Sequence, residues 1–369
     1  RNTTIMDSRI LLFIFGLLTA SYSSVSMNRK GDLYARSMLD GDIVFEPGMG
    51  SVLVDRGGYE YDILEQIDIS NQVAAQVCWL VPQRPSPVWN NMSSIPTATF
   101  GSAAVTVGSS IFVIGGNDAT NVLSSVQVLN VQTMTWSTKA PMNNARQYHV
   151  AAAHSDGSRI FVFGGQGRTD IEIYDVAANT WTVSPLTLPS SFDKVASAVV
   201  DNVVYFFGAQ SNGTLVNSFS MYNQAWKTNL AQMPTSRYNA GAASFGKNIY
   251  VFGGVNANSS ILSTFEMYNT ATNTWESLNP IDVGRQQHQL INFNGLLALV
   301  GGVNDFDSAV SSVYWFNTRN RMWRTDFAQL SMNRYAFAAA TAERQVFVFG
   351  GRTGASGATS LTEFTLPCF

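Results

Sequence analysis

The 369-residue chain is 46% hydrophobic and 13% charged, about half the charged share of an ordinary soluble domain. That composition excludes an intrinsically disordered chain, and the length suits two domains or one closed repeat architecture. With 22 Lys and Arg against 25 Asp and Glu, the net charge is -3 and no basic run occurs, which excludes a nucleic-acid footprint.

The first element in chain order is an apolar run, Ile10–Ala20, that follows Met6, Asp7, Ser8 and Arg9. It is too short to span a bilayer, which takes about 20 residues, and it matches the core of a secretory signal peptide. Ser24-Val25-Ser26 supplies small residues for cleavage, so residues 1–26 are expected to be a signal peptide, with residues 1–5 upstream of the first Met. The mature protein is then expected to be secreted or lumenal. Cys78 and Cys368, the two cysteines of the chain, are expected to pair as one disulfide in that compartment. Asn91, Asn212 and Asn258 open Asn-x-Ser/Thr sequons and are expected glycosylation sites.

Residues 27–87 carry no recognisable pattern of their own and end in a Pro-rich linker with Pro82, Pro85 and Pro87. Beyond them a repeat takes over. Apolar runs ending in a glycine doublet recur as IFVIGG, IFVFGG, IYVFGG, LLALVGG and VFVFGG, with a degenerate VVYFFGA among them. Their first glycines are Gly115, Gly164, Gly208, Gly253, Gly301 and Gly350. Trp89, Trp136, Trp181, Trp226, Trp275 and Trp323 keep step with them. Each period reads as four short strands: a small-residue strand such as AGAAS, the strand that ends in the doublet, an alternating strand such as LSTFEMYN, and a strand opened by Trp. Four strands per period of this length describe a propeller blade.

The doublets, the third-strand tyrosines Tyr174, Tyr222 and Tyr268, the following Trp, and Pro-x-x-Arg or a similar sequence before the next inner strand make residues 88–369 resemble the kelch-repeat family. The resemblance implies an all-β propeller of six four-stranded blades. It also implies closure of the ring by an N-terminal outer strand at 88–92 pairing with the C-terminal strand at 361–366. A seven-blade alternative would use SVLVDRGG (51–58) and EQIDIS (65–70) as strands of one more blade.

Arg146, Arg237, Arg285 and Arg334 stand at one equivalent position before their inner strands, with Tyr148, Tyr238 and Tyr335 beside them. Strands that line the channel would place four guanidinium forks around one mouth, where they would bind carboxylates or other anions. In kelch proteins the loops after the doublets share that binding face. The leading expectation is a recognition module without chemistry or cofactor, which takes an anionic ligand, a glycan or an acidic protein segment. An isomerase resembling the bacterial kelch sialate mutarotase is the alternative, with His149 or His288 as acid/base. Copper chemistry resembling galactose oxidase is disfavoured by a chain with three histidines. An intracellular scaffold is the least favoured reading.

Overall fold

The computed structural model describes strands between residues 22 and 62, and residues 89–365 except 191, 193, 210–215, 222, 229, 326–327, 344 and 355–356. The chain divides into an N-terminal unit up to Arg84 and a second unit that begins at Pro85. In the first unit, Tyr22–Met27, Leu33–Ser37, Asp42–Phe45, Val52–Arg56 and Tyr59–Asp62 form one five-stranded antiparallel meander. The expected cleavage point after Ser26 lies inside the first of these strands. Cys78, Cys368 and Asn212 lie outside the described residues.

The second unit is a ring of six four-stranded antiparallel sheets. Blade 1 runs Ala103–Val107, Ser110–Ile114, Val126–Asn130 and Thr135–Lys139. Blade 2 is built on Val150–Ala153, blade 3 on Ala196–Val200, blade 4 on Gly241–Phe245, blade 5 on Gln289–Phe293 and blade 6 on Ala338–Ala342. Blade 6 takes its outer strand, Asn90–Met92, from the beginning of the propeller, with Phe364 opposite Asn90 and Thr362 opposite Met92. The six-blade ring and its closure are therefore as the repeat predicts. The seven-blade alternative is not realised: Val52–Arg56, expected as a blade strand, pairs with Asp42–Phe45 and Tyr59–Asp62 in the separate meander.

The residue choices follow from the geometry. Inner strands converge on the axis, so their accessible positions are mostly Ala and Ser, with Gln289 and Asn292 in blade 5, and together they bound an axial cavity of about 460 Å3. Second and third strands are sandwiched between neighbouring blades. Their apolar side chains form inter-blade cores, as where Phe161 and Phe163 of blade 2 pack with Phe206 and Phe219 of blade 3. A fully buried Phe contributes on the order of 2–3 kcal/mol by leaving water. In every blade but the third, a tryptophan ties the outer strand back to the linker that enters that blade. Trp181 Nε1 donates to the Ala140 carbonyl at 2.8 Å, Trp275 Nε1 to that of Ala231 at 2.9 Å, and Trp323 Nε1 to that of Asn279 at 3.0 Å. Trp89 does the same for blade 6, donating to the Ala328 carbonyl at 3.2 Å.

The doublets join one blade to the next. Gly116 N–H donates to the Arg146 carbonyl at 2.7 Å, Gly254 N–H to that of Arg285 at 2.7 Å, and Gly302 N–H to that of Arg334 at 2.8 Å. The first glycine has a positive φ, 59° at Gly115, and a β-carbon there would meet the same Arg146 carbonyl at 2.7 Å. Only a residue without a side chain fits that close approach.

Candidate functional site: the mouth of the propeller channel

The four arginines do not ring the mouth. Their side chains are buried inside the blades, at 0–1% exposure. Arg237 Nη1 donates to the Gly253 carbonyl at 3.2 Å and to that of Thr264 at 3.0 Å, while Nη2 pairs with Glu266 at 2.5 Å. Arg334 repeats this on Gly350, Leu361 and Glu363, the last at 2.6 Å. Arg146 bonds the carbonyls of Gly164 and Asp170, and pairs with Glu172 at 2.8 Å and with Asp170. Burial pulls the Arg237 and Arg334 guanidinium groups below their ordinary value, against the pull of Glu266 and Glu363. Arg285 has a different partner: its Nη2 donates to Ser312 Oγ at 2.7 Å and its guanidinium lies 5.0 Å over the Tyr314 ring. The expectation of anion-binding forks at the mouth fails because each Arg side chain runs into its own blade, where strand-end carbonyls and, in blades 2, 4 and 6, a buried glutamate accept from it.

Those acids were the missed residues. Glu172, Glu266 and Glu363 each sit opposite the penultimate residue of the second strand, at a buried position of the third. A carboxylate at such a position is the signal that a buried cation faces it.

The mouth is formed two residues further on. Gly101, Tyr148, Lys194, Asn239, Gln287 and Ala336 hold equivalent places, one per blade, all with φ between 51° and 62°. Their backbones bond around the ring: Tyr148 N–H donates to the Gly101 carbonyl at 2.7 Å and Asn239 N–H to that of Lys194 at 2.9 Å. Gln287 N–H then donates to the Asn239 carbonyl, Ala336 N–H to that of Gln287, and Gly101 N–H to that of Ala336. Five non-glycine residues in the left-handed region carry a strain that this annulus holds in place.

The annulus borders a cleft of about 120 Å3 that adjoins the axial cavity. Tyr148 lies there, packed on Gly101, where a β-carbon would meet its ring at 3.2 Å. Tyr238 and Tyr335 are instead paired through their backbones with the doublet loops, at Val255 and Arg352, and the Tyr335 hydroxyl donates to the Gly354 carbonyl at 3.0 Å. Among the described residues lining the cleft, Lys194 carries the charge at neutral pH.

His149 and His288 border both cavities but are buried, and their rings point at the preceding blade. A β-carbon on Gly241 would meet His288 Nε2 at 2.6 Å, and His288 packs edge-on to Phe252 at 5.6 Å. Desolvation, followed by the neighbouring Arg146 or Arg285 charge, lowers both imidazoles to about 3. They are neutral packing groups at pH 7, so the acid/base role expected of them in an isomerase has no support here. Asn91, on the outer strand of blade 6, and Asn258, on a loop of blade 4, are both exposed.

The KLHDC2/KLHL20/DRC7 Kelch-repeats domain profile matches residues 101–233 and again 218–351. The chain belongs to the kelch-repeat family. It is 27% identical over 316 residues to Kelch-like protein terF of Aspergillus terreus, covering 75% of this chain and 57% of that protein. A putative F-box/kelch-repeat protein of Arabidopsis thaliana is 30% identical over 136 residues, 36% of this chain and 52% of the relative. Human Kelch-like protein 38 is 28% identical over 151 residues, 37% of this chain and 26% of the relative. The kelch chain described here thus spans about half the length of the first two of these relatives. Among its described residues no helix is long and apolar enough to cross a membrane.

Proposed function

We propose that this kelch propeller is a protein-recognition module that holds an acidic segment of its partner over the channel mouth. The observation that carries the reading is Lys194, the charged side chain of the mouth cleft, set among the hydrogen-bonding groups of Tyr148, Asn239, Gln287 and Gln289. An Asp or Glu side chain could take a charge-assisted bond from Lys194 while its backbone meets the neighbouring amides. We infer secretion as part of the same reading; what supports it is the Ile10–Ala20 run and the exposed sequons at Asn91 and Asn258.

One preparation tests both halves. The full chain is expressed in eukaryotic cells, recovered from the medium, treated with N-glycosidase and titrated with a fluorescein-labelled decapeptide of alternating Asp and Glu. The expected result is recovery from the medium, a mass loss on deglycosylation, and saturable binding that Lys194→Glu abolishes. Protein retained wholly inside the cell sinks the secretion half. Equal binding by Lys194→Glu sinks the mouth as the site. Lys194 is partly exposed and its side chain pairs with no buried group among the described residues, so its replacement should change stability by about 0.5 kcal/mol or less.

A further inference from the structure

Phe306 is 85% exposed, on the loop that follows the blade 5 doublet. Its position is fixed. Asn304 Oδ1 accepts the N–H groups of Phe306 and Ser308, each at 3.1 Å. Asn304 N–H donates to the Ser308 carbonyl at 3.0 Å, and Asp307 N–H to the Asn304 carbonyl at 2.9 Å. The base of the loop is clamped by the two-residue ladder of Arg285–Gln286 with Val303–Asn304. A large ring is therefore presented to solvent with its backbone already ordered, as an interface anchor requires.

Blade 4 provides an internal control. Its loop makes the same turn, with Asn256 Oδ1 accepting from Asn258 at 3.0 Å and from Ser260 at 2.9 Å, and Ser259 N–H donating to the Asn256 carbonyl. Asn258 stands there in the place of Phe306. The turn is thus made equally well with a polar residue at its apex, and folding gives no reason for a phenylalanine. The chain on either side of Phe306 carries one sign of charge at its surface: Asp282, Asp305 and Asp307 are exposed, while Arg285, the one Lys or Arg between residues 279 and 312, is buried.

We propose that Phe306 anchors a protein partner by inserting into an apolar pocket rimmed by Lys or Arg, with Asp282, Asp305 and Asp307 meeting that rim. This surface belongs to blade 5 and is independent of Lys194 at the mouth. Charge complementarity selects a basic rim, and a single protruding ring selects a pocket over a flat apolar face.

The test places p-benzoyl-phenylalanine at position 306 of the full chain and, as control, at Met322, an outer-strand residue that is 62% exposed. Both proteins are irradiated in the cells that produce them, and crosslinked peptides are sequenced. The proposal expects a defined partner at position 306 and none at 322, with the crosslinked peptide apolar and flanked by Lys or Arg. Adding Asp305→Asn and Asp307→Asn should cut the yield roughly tenfold, as expected for loss of an anchor's charged surround. Four outcomes overturn it: no crosslink above the Met322 control, a crosslinked peptide flanked by acids, a yield indifferent to the two Asn substitutions, or a crosslink to a second copy of this chain. Phe306→Ala is expected to melt with the parent, which separates loss of partner from loss of fold.

Discussion

Blades 4 and 5 start alike, with a buried arginine four residues before the inner strand, and they neutralise it differently. In blade 4, Arg237 faces Glu266 at 2.5 Å. In blade 5 the position of Glu266 is taken by Tyr314, and Arg285 rests on its ring at 5.0 Å. Blades 1 and 3 avoid the charge altogether. Thr99 and Phe192 replace the arginine, and the matching third-strand positions are Gln127 and Asn217. In five of the six blades the cation and the acid are present together or absent together, and blade 5 is the exception, where the Tyr314 ring and Ser312 stand in for the acid. This is what the cost of an unpaired buried charge demands. It also shows that a repeated arginine in a propeller can serve the blade rather than the ligand.

The sharpest way to break the comparison is to remove the acid alone. Glu266→Ala strands the buried Arg237 charge and should cost about 3–5 kcal/mol in chemical denaturation. Adding Arg237→Met should restore most of the loss, because the charge and its partner then leave together. Tyr314→Leu in blade 5 removes the cation–π contact and the side-chain hydrogen bond to Arg285 but strands no acid-paired charge, and about 2 kcal/mol is expected. Equal losses in the two blades would show that Glu266 does not carry the balance.

A second comparison sets blades 2 and 5, which carry His149 and His288, against blades 4 and 6, which have Ala240 and Phe337 at that position. Both imidazoles are held near 3 in the folded chain and return to an ordinary value near 6.5 on unfolding. Between those limits the unfolded chain binds the extra protons. Stability is therefore full above about pH 6.5 and falls on acidification, by about 1.4 kcal/mol per pH unit for each histidine. Melting measured from pH 7 to 5 should show this slope, and His149→Gln with His288→Gln should flatten it. An unchanged slope in the double variant would assign acid sensitivity to the carboxylates instead.

The smallest effect concerns the tie between outer strand and linker. Trp275→Phe keeps the ring packed between Tyr268 and Phe207 but loses the bond to the Ala231 carbonyl. A loss of about 1 kcal/mol in unfolding free energy is expected. A much larger loss would mean that the indole ring, not its N–H, holds the strand.

Much of this architecture was legible in the residues alone. Doublets and tryptophans in fixed phase determined the blade count, the small-residue inner strands, and the closure of Thr362–Thr365 by Asn90–Met92. They could do so because each landmark meets a local steric demand: a carbonyl too close for a β-carbon at Gly115, a gap between sheets at Trp275. The candidate site was not legible in the same way. Arg146, Arg237, Arg285 and Arg334 lie at the position the repeat assigns them, but direction decides whether a guanidinium meets solvent or a buried glutamate. That direction is set by a third strand 26 to 29 residues away in blades 2, 4 and 6. The annulus through Tyr148, Lys194, Asn239 and Gln287 was equally hidden, since no composition marks five different side chains that share one left-handed backbone. Sequence by itself determined which strands exist and how the ring closes. Only the tertiary structure decided which polar groups are consumed inside the blades and which, like Lys194 and Phe306, remain for a partner.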